Sequence, residues 1–237
     1  MTANILREFL KKQEKPNFVQ QFCQSLVFAS QRTKEYIGFS DPESKLKINS
    51  SILNDIFLMS YINRSIQAKL PGVISCTKMT SEQAVLLGAD WVWAVHDLSS
   101  NNPKLQIVVQ VVHLESKEPE EDESWAITET MQVAQAESTL ETKPEKMIKF
   151  CSSIGSDCYG LFLFFGYQDD PKNIYGVLSN SFHTATEDGQ EVIDSRSLED
   201  NIRKTKIFIS LEKILEMVLQ RGNEADELKP ICVKFTQ

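Results

Sequence analysis

The chain has 237 residues, 41% of them hydrophobic, with thirteen phenylalanines and a formal net charge of -8. A chain this long buries roughly two thirds to three quarters of the surface it exposes when unfolded, so a substantial core is expected. The 33 acidic against 25 basic residues exclude general nucleic-acid binding, which needs a positive surface, and disfavour broad adhesion to an anionic bilayer.

Cys23, Cys76, Cys151, Cys158 and Cys232 form no CxxC pair, and their odd number points to reduced, mostly buried thiols. Arg7, Glu8, Lys11 and Lys12 interrupt the first apolar positions, so no signal peptide is expected, and no apolar run approaches the length of a membrane span.

Residues 1–15 read as a flexible or amphipathic tail, with Ile5, Leu6, Phe9 and Leu10 facing one way. Residues 16–237 read as a single domain. Asn17 to Gly38 is a helix with Phe18, Phe22, Leu26, Ala29 and Ile37 along one side. Gly38 ends it and Asp41-Pro42 turns the chain. Ser51 to Leu70 is a second helix. Ile52, Ile56, Met59 and Ile66 lie on one face, with Leu53, Phe57 and Tyr61 beside it. This wide apolar arc has two readings: core on two sides, or a second face offered to a partner.

Thr77 to Leu114 is the densest apolar stretch. Thr80 and Gln83 outline a capping box, and Ala84, Leu87 and Trp91 follow at helical spacing, so a buried helix carrying Trp91 and Trp93 is expected there. Ser99 to Pro103 breaks the chain. Leu105 to Val112 reads as a mostly buried strand. The acidic run Glu115 to Glu123 is an exposed loop. Ala126 to Ala134 is expected to pair with 105–114 as a long hairpin around that loop, a helix being the alternative.

Lys143 to Ile154 is a short helix with Met147, Phe150, Cys151 and Ile154 inward, stopped by Gly155. Leu161 to Phe165 is a buried strand, and 174–185 completes a hairpin with it. Residues 186–200 are polar and acidic. A strand over Lys206 to Ile209, a helix starting at Ser210 and ending at Gly222, and a strand over Ile231 to Phe235 finish the chain. The sum is an α+β fold: a mostly antiparallel sheet of four to six strands, with N-terminal helices and a C-terminal helix packed on it. No βαβ rhythm is evident, which disfavours a doubly wound sheet.

Catalytic chemistry has little support in these residues. His96 stands beside Asp97, and with Asp90 it suggests a carboxylate-oriented base in a cleft, but adjacent side chains seldom converge and no nucleophile pattern accompanies them. Cys151 and Cys158 lack two further ligands at metal-site spacing. Asp169-Asp170 and Glu120 to Glu123 read as solvated acidic turns. No phosphate-cradling glycine motif occurs. We therefore expect no catalytic residues, no cofactor and no metal. Trp91 and Trp93 read as core.

The blocks Thr77-Lys78-Met79-Thr80, Gly88-Ala89-Asp90-Trp91-Val92-Trp93 and Cys151-Ser152-Ser153-Ile154-Gly155-Ser156-Asp157-Cys158-Tyr159-Gly160-Leu161-Phe162 resemble the Rab-fifteen effector proteins of vertebrate endosomes. Lys34 to Phe39, Leu53 to Leu58 and Pro171 to Val177 extend the likeness, in family order, over roughly residues 30–178. The resemblance implies a non-enzymatic effector that binds a GTP-loaded Rab GTPase. It implies action at the endocytic recycling compartment, where transferrin receptor returns to the surface, and a cytoplasmic location peripheral on early and recycling endosomes. Similar proteins begin Met-Gly and carry a myristoylation signal, whereas this chain begins Met1-Thr2. Membrane attachment would then rest on the Rab, on the 1–12 piece or on a different start in another isoform. On apolar excess, the expected partner-binding residues are Ile56, Phe57, Met59, Ser60, Tyr61, Lys78 and Met79. A scaffold for another trafficking protein is the alternative, and an enzyme using His96 and Asp90 a further one.

Overall fold

The computed structural model describes residues 18–70, 72–96, 102–113, 141–167, 170–179 and 232–234. Helix α1 spans Phe18–Lys34. Phe22, Leu26 and Ala29, spaced by three or four, are buried along one side. Ser25 Oγ and Thr33 Oγ1 sit on the same side and donate to the carbonyls of Gln21 and Ala29 at 2.8 and 2.9 Å, so their burial leaves no unpaired hydroxyl. The left-handed Gly38, at φ 75°, turns the chain out of the helix.

Helix α2 spans Ser50–Gln67, and its Asn49 cap accepts a hydrogen bond from the Ile52 N–H at 2.9 Å. Strand β1 is Ile74–Lys78. Helix α3 is the short Ser81–Leu87, opened by the expected Thr80–Gln83 capping box. Strands β2 and β3 are Trp91–His96 and Pro103–His113. Helix α4 is Lys143–Ile154, with a second capping box at Thr142 and Glu145 and a stop at Gly155. Strands β4, β5 and β6 are Cys158–Tyr167, Asp170–Leu178 and Cys232–Lys234.

The helix expected to carry both tryptophans is corrected. It stops at Leu87, because Gly88 adopts φ +66° and packs so closely on α4 that an added Cβ would stand 2.1 Å from the Lys143 carbonyl oxygen. Trp91, Trp93 and Val95 then alternate with Val92, Ala94 and His96 as buried and half-buried positions of a strand. Both indoles are core as expected, but on a sheet face. Helix α3 itself contributes no buried residue. Strand β1 had no counterpart in the sequence reading, since ISCTK offers one buried apolar position and a polar remainder.

The six strands lie in the order β1-β2-β3-β4-β5-β6. Every neighbouring pair is antiparallel except β3 and β4, which run parallel from Gln106 opposite Cys158 to His113 opposite Phe165. A parallel pair needs a crossover, and α4 lies in it. One βαβ connection therefore stands inside an otherwise antiparallel sheet, a local correction to the absence of that rhythm. The α+β reading holds, as does the hairpin, now β4 and β5, with Phe165 opposite Ile174. Strand β3 takes β2 on one edge and β4 on the other; the hairpin expected of it named the 126–134 segment. That segment, the 1–15 tail, the 206–209 strand and the helix from Ser210 to Gly222 lie outside the described residues.

Helices cover both sheet faces. Trp91, Trp93, Val109, Leu161, Leu163 and Phe165 pack with α1 and α2 in one cluster. Val108, Val112, Phe162, Phe164 and Val177 pack with Met147, Ile148 and Cys151 of α4 in another. Strands β3 and β4 are thus apolar on both sides, which explains their nearly unbroken hydrophobic runs.

Candidate functional site

Helix α2 has two apolar faces. On the inner one, Phe57 stacks on Trp91 with ring centroids 5.6 Å apart, and Tyr61 meets Trp93 edge-on at 5.4 Å. Phe57 is 0% and Tyr61 1% exposed. Burial pushes the Tyr61 hydroxyl's pKa well above its ordinary value. These two aromatics were expected to touch a partner. They are core residues instead, and this fold gives a partner no access to them.

On the outer face, Ile52, Met59 and Ile66 stand seven residues apart, two helical turns each, and form a ridge about 21 Å long. Met59 is 61% and Ile66 59% exposed, with Ile52 at 36% and Ile62 at 42% beside them. Ile56 and Ser60 are half-buried on its flanks. Of the four residues that the sequence grouped as one helix face, Ile52, Met59 and Ile66 are exposed and Ile56 is half-buried, while the residues grouped beside them form the core contact. Ile62 was not singled out from sequence; its place one turn from Met59 and Ile66 is the signal that identifies it.

Lys78, at the end of β1, pairs with Asp55 of α2 at 2.5 Å, which brings a cation to the side of the ridge. Arg64 supplies a second, with its guanidinium 6.0 Å from the Phe28 ring centroid. Met79 does not join the ridge. It is half-buried and packs toward the α4 cluster.

Met79 and Lys78 also line a cleft of about 760 Å³ between the start of α2, α3, the start of α4 and the end of β3. It lies where β2 begins at Trp91 while β3 runs on past its pairing with β2. Asp90 ties its walls together. Its Oδ2 accepts the Val111 N–H at 2.6 Å, and Lys143 Nζ lies 3.0 Å from Oδ1. Its backbone meanwhile bonds both Met79 and Val109. His113 Nε2 sits 3.1 Å from Asn54 Oδ1. Burial pushes the His113 pKa down to about 4, opposed by the Asp90 charge and aided by Lys143.

Asp90 and His96 do not converge. They bracket β2, roughly 20 Å apart along an extended strand. His96 instead shares a 2.7 Å hydrogen bond with Ser75. Among the described residues, no group of three or more His, Cys, Asp or Glu side chains is placed to hold a metal. No described helix is long and apolar enough to cross a membrane.

This arrangement defines a class of protein: a helix-covered sheet that presents an apolar helix ridge with a charged rim, a surface suited to another protein. The chain belongs to the Rab15 effector family, whose model matches residues 7–235. It is similar to the Rab15 effector protein of Mus musculus, with 29% identity over 214 residues that cover 89% of this chain and 88% of the mouse protein. The resemblance carried by the GADWVW and CSSIGSDCYGLF blocks is borne out.

Proposed function

We propose that this chain is a non-catalytic effector that docks a GTP-loaded Rab GTPase on the outer ridge of α2. The observation that carries the reading is the exposure of Ile52, Met59, Ile62 and Ile66 on a helix already anchored by its opposite face. Such a helix pays little ordering entropy on binding, because its inner face holds it in place. A GTPase orders its switch loops only while the γ-phosphate is present, and those loops then offer a fixed apolar surface. A complementary ridge with Lys78, Asp55 and Arg64 at its rim reads that surface and loses it after hydrolysis. A stable contact of standard size buries about 1,600 Å² in total. The ridge supplies its centre, with Ser60 at the flank. Phe57 and Tyr61 act from below by fixing the helix.

Membership of the Rab15 effector family supports a Rab as the partner. In this reading the chain sits in the cytoplasm, peripheral on early and recycling endosomes, where it regulates return of receptors such as transferrin receptor from the endocytic recycling compartment. The Rab's own lipid anchor supplies the membrane contact, assisted by the 1–12 piece.

The test is a pull-down with the full chain against a panel of Rabs in GTP-analogue and GDP states. Capture of at least one Rab only in its GTP-analogue state is the expected result. Equal capture of both states, or of none, overturns the reading and favours a scaffold for a different trafficking protein.

A further inference from the structure

We propose that the end of β3 takes up an extended acidic segment of a partner protein as an added strand. Strand β3 runs to His113, but β2 begins at Trp91, opposite Val109. On its other edge β3 stays paired with β4 as far as His113 opposite Phe165. Residues 110–113 therefore have a strand on one edge and, among the described residues, none on the other. Backbone groups of a strand alternate between its two edges. The Gln106 N–H donates to the Asp157 carbonyl at 2.8 Å, so even-numbered residues of β3 face β4. The Val111 N–H points the other way, into the cleft, where Asp90 Oδ2 accepts it at 2.6 Å. The Val111 carbonyl and the His113 N–H share that edge, and neither has a hydrogen-bond partner among the described residues.

An open sheet edge is a template for another chain, and proteins usually cover it or charge it. Here Asp90 blunts only the Val111 N–H. An added chain supplies one carbonyl to the His113 N–H and one N–H to the Val111 carbonyl, the main-chain pairing by which a sheet edge captures a peptide. Gln110, 1% exposed in the cleft wall, adds a further unused acceptor. Its Nε2 donates to the Gly88 carbonyl at 2.7 Å, and its Oε1 has no partner among the described residues. Unpaired donors and acceptors together suit a peptide backbone better than an apolar ligand. Charge selects the side chains. Lys78, Lys143 and Lys146 line the cleft against Asp90 alone. Asp55 pairs with Lys78 and Asp90 with Lys143, but Lys146 Nζ bonds the neutral Val85 carbonyl at 3.0 Å, which leaves its charge for an acidic residue of the added strand. This site does not rest on Rab binding at the ridge.

The experiment titrates the full chain with a fluorescein-labelled hexapeptide that alternates glutamate with valine. Fluorescence anisotropy measures binding, and amide hydrogen exchange reads His113. The peptide should bind, and its counterpart with lysine in place of glutamate should bind at least about tenfold more weakly. At about ten times the Kd, the peptide should slow exchange of the His113 amide about tenfold. Methylating the peptide's amide nitrogens one at a time should abolish binding at alternate positions only, because every second N–H faces β3. Lys146→Gln should weaken the acidic peptide about twofold to fivefold. Should that variant melt at a lower temperature, the methylation series on the parent chain decides. Absence of binding, equal binding of the lysine peptide, or a uniform response to methylation overturns the proposal. So does a His113 amide already protected in the free chain, which would mean that another segment of this chain holds the edge.

Discussion

His113 ends β3 with its ring edge-on to Phe165 at 5.3 Å and its Nε2 against Asn54. Burial lowers its pKa from 6.5 to about 4, so the fold favours the neutral ring while the unfolded chain takes up a proton near pH 6.5. Stability from this residue is therefore fully present above pH 6.5 and is lost as the pH falls toward 4. Linkage sets the loss at up to about 3 kcal/mol across that window. Urea denaturation at pH 7 and pH 4.5 should show His113→Gln losing less stability on acidification than the parent chain, by about 2 kcal/mol or more. Equal losses would mean that the ring is already solvated. Asp90 and Lys143, the charged groups that face it, remain in both proteins and cancel in the comparison.

At the scale of the element, α2 carries its core contact and the exposed apolar ridge proposed for docking on opposite sides of one helix. Phe57 is fully buried among Trp91, Trp93 and Phe165, so Phe57→Ala removes a large side chain from the core and should cost about 3–5 kcal/mol. Met59, two residues on, faces solvent. Met59→Asp should change stability by no more than about 0.5 kcal/mol yet weaken Rab binding at least about tenfold. Chemical denaturation and calorimetric titration of both variants form the measurement. Unchanged binding by Met59→Asp, with the fold intact, would remove the ridge from the interface. Charge placed at Phe57 or Tyr61, as their apolar character alone would suggest, confounds binding with unfolding.

Among the described residues, one sheet is shared by two clusters. Val109 and Leu161 look toward α1 and α2, while Val108 and Phe162, their neighbours in the chain, look toward α4. Loss of packing on either side therefore loosens the same strands. Met147, fully buried on the α4 side, is the test position. Met147→Ala should destabilise by about 2–5 kcal/mol. Tryptophan fluorescence, measured in a Trp125→Phe background so that it reports Trp91 and Trp93 on the other face, should follow the same transition as far-ultraviolet circular dichroism. Two separated transitions would show that the faces unfold independently.

Elements whose signals are local were legible in the sequence. The capping box at Thr80, the glycine stops at Gly38 and Gly155, and the apolar run of Leu161 to Phe165 depend on neighbours a few residues away, and they sit where the chain alone placed them. The family was legible too, because it rests on residue blocks. Trp91 and Trp93 were misassigned because helical and strand periods overlap in so short an apolar stretch. Gly88 resolves them only through its contact with Lys143, which is distant in sequence. The same limit applies to α2. Periodicity shows two apolar faces on that helix, but which one is buried depends on where β2, β4 and α1 stand. Tertiary packing alone turned Phe57 and Tyr61 inward and left Met59 and Ile66 in water.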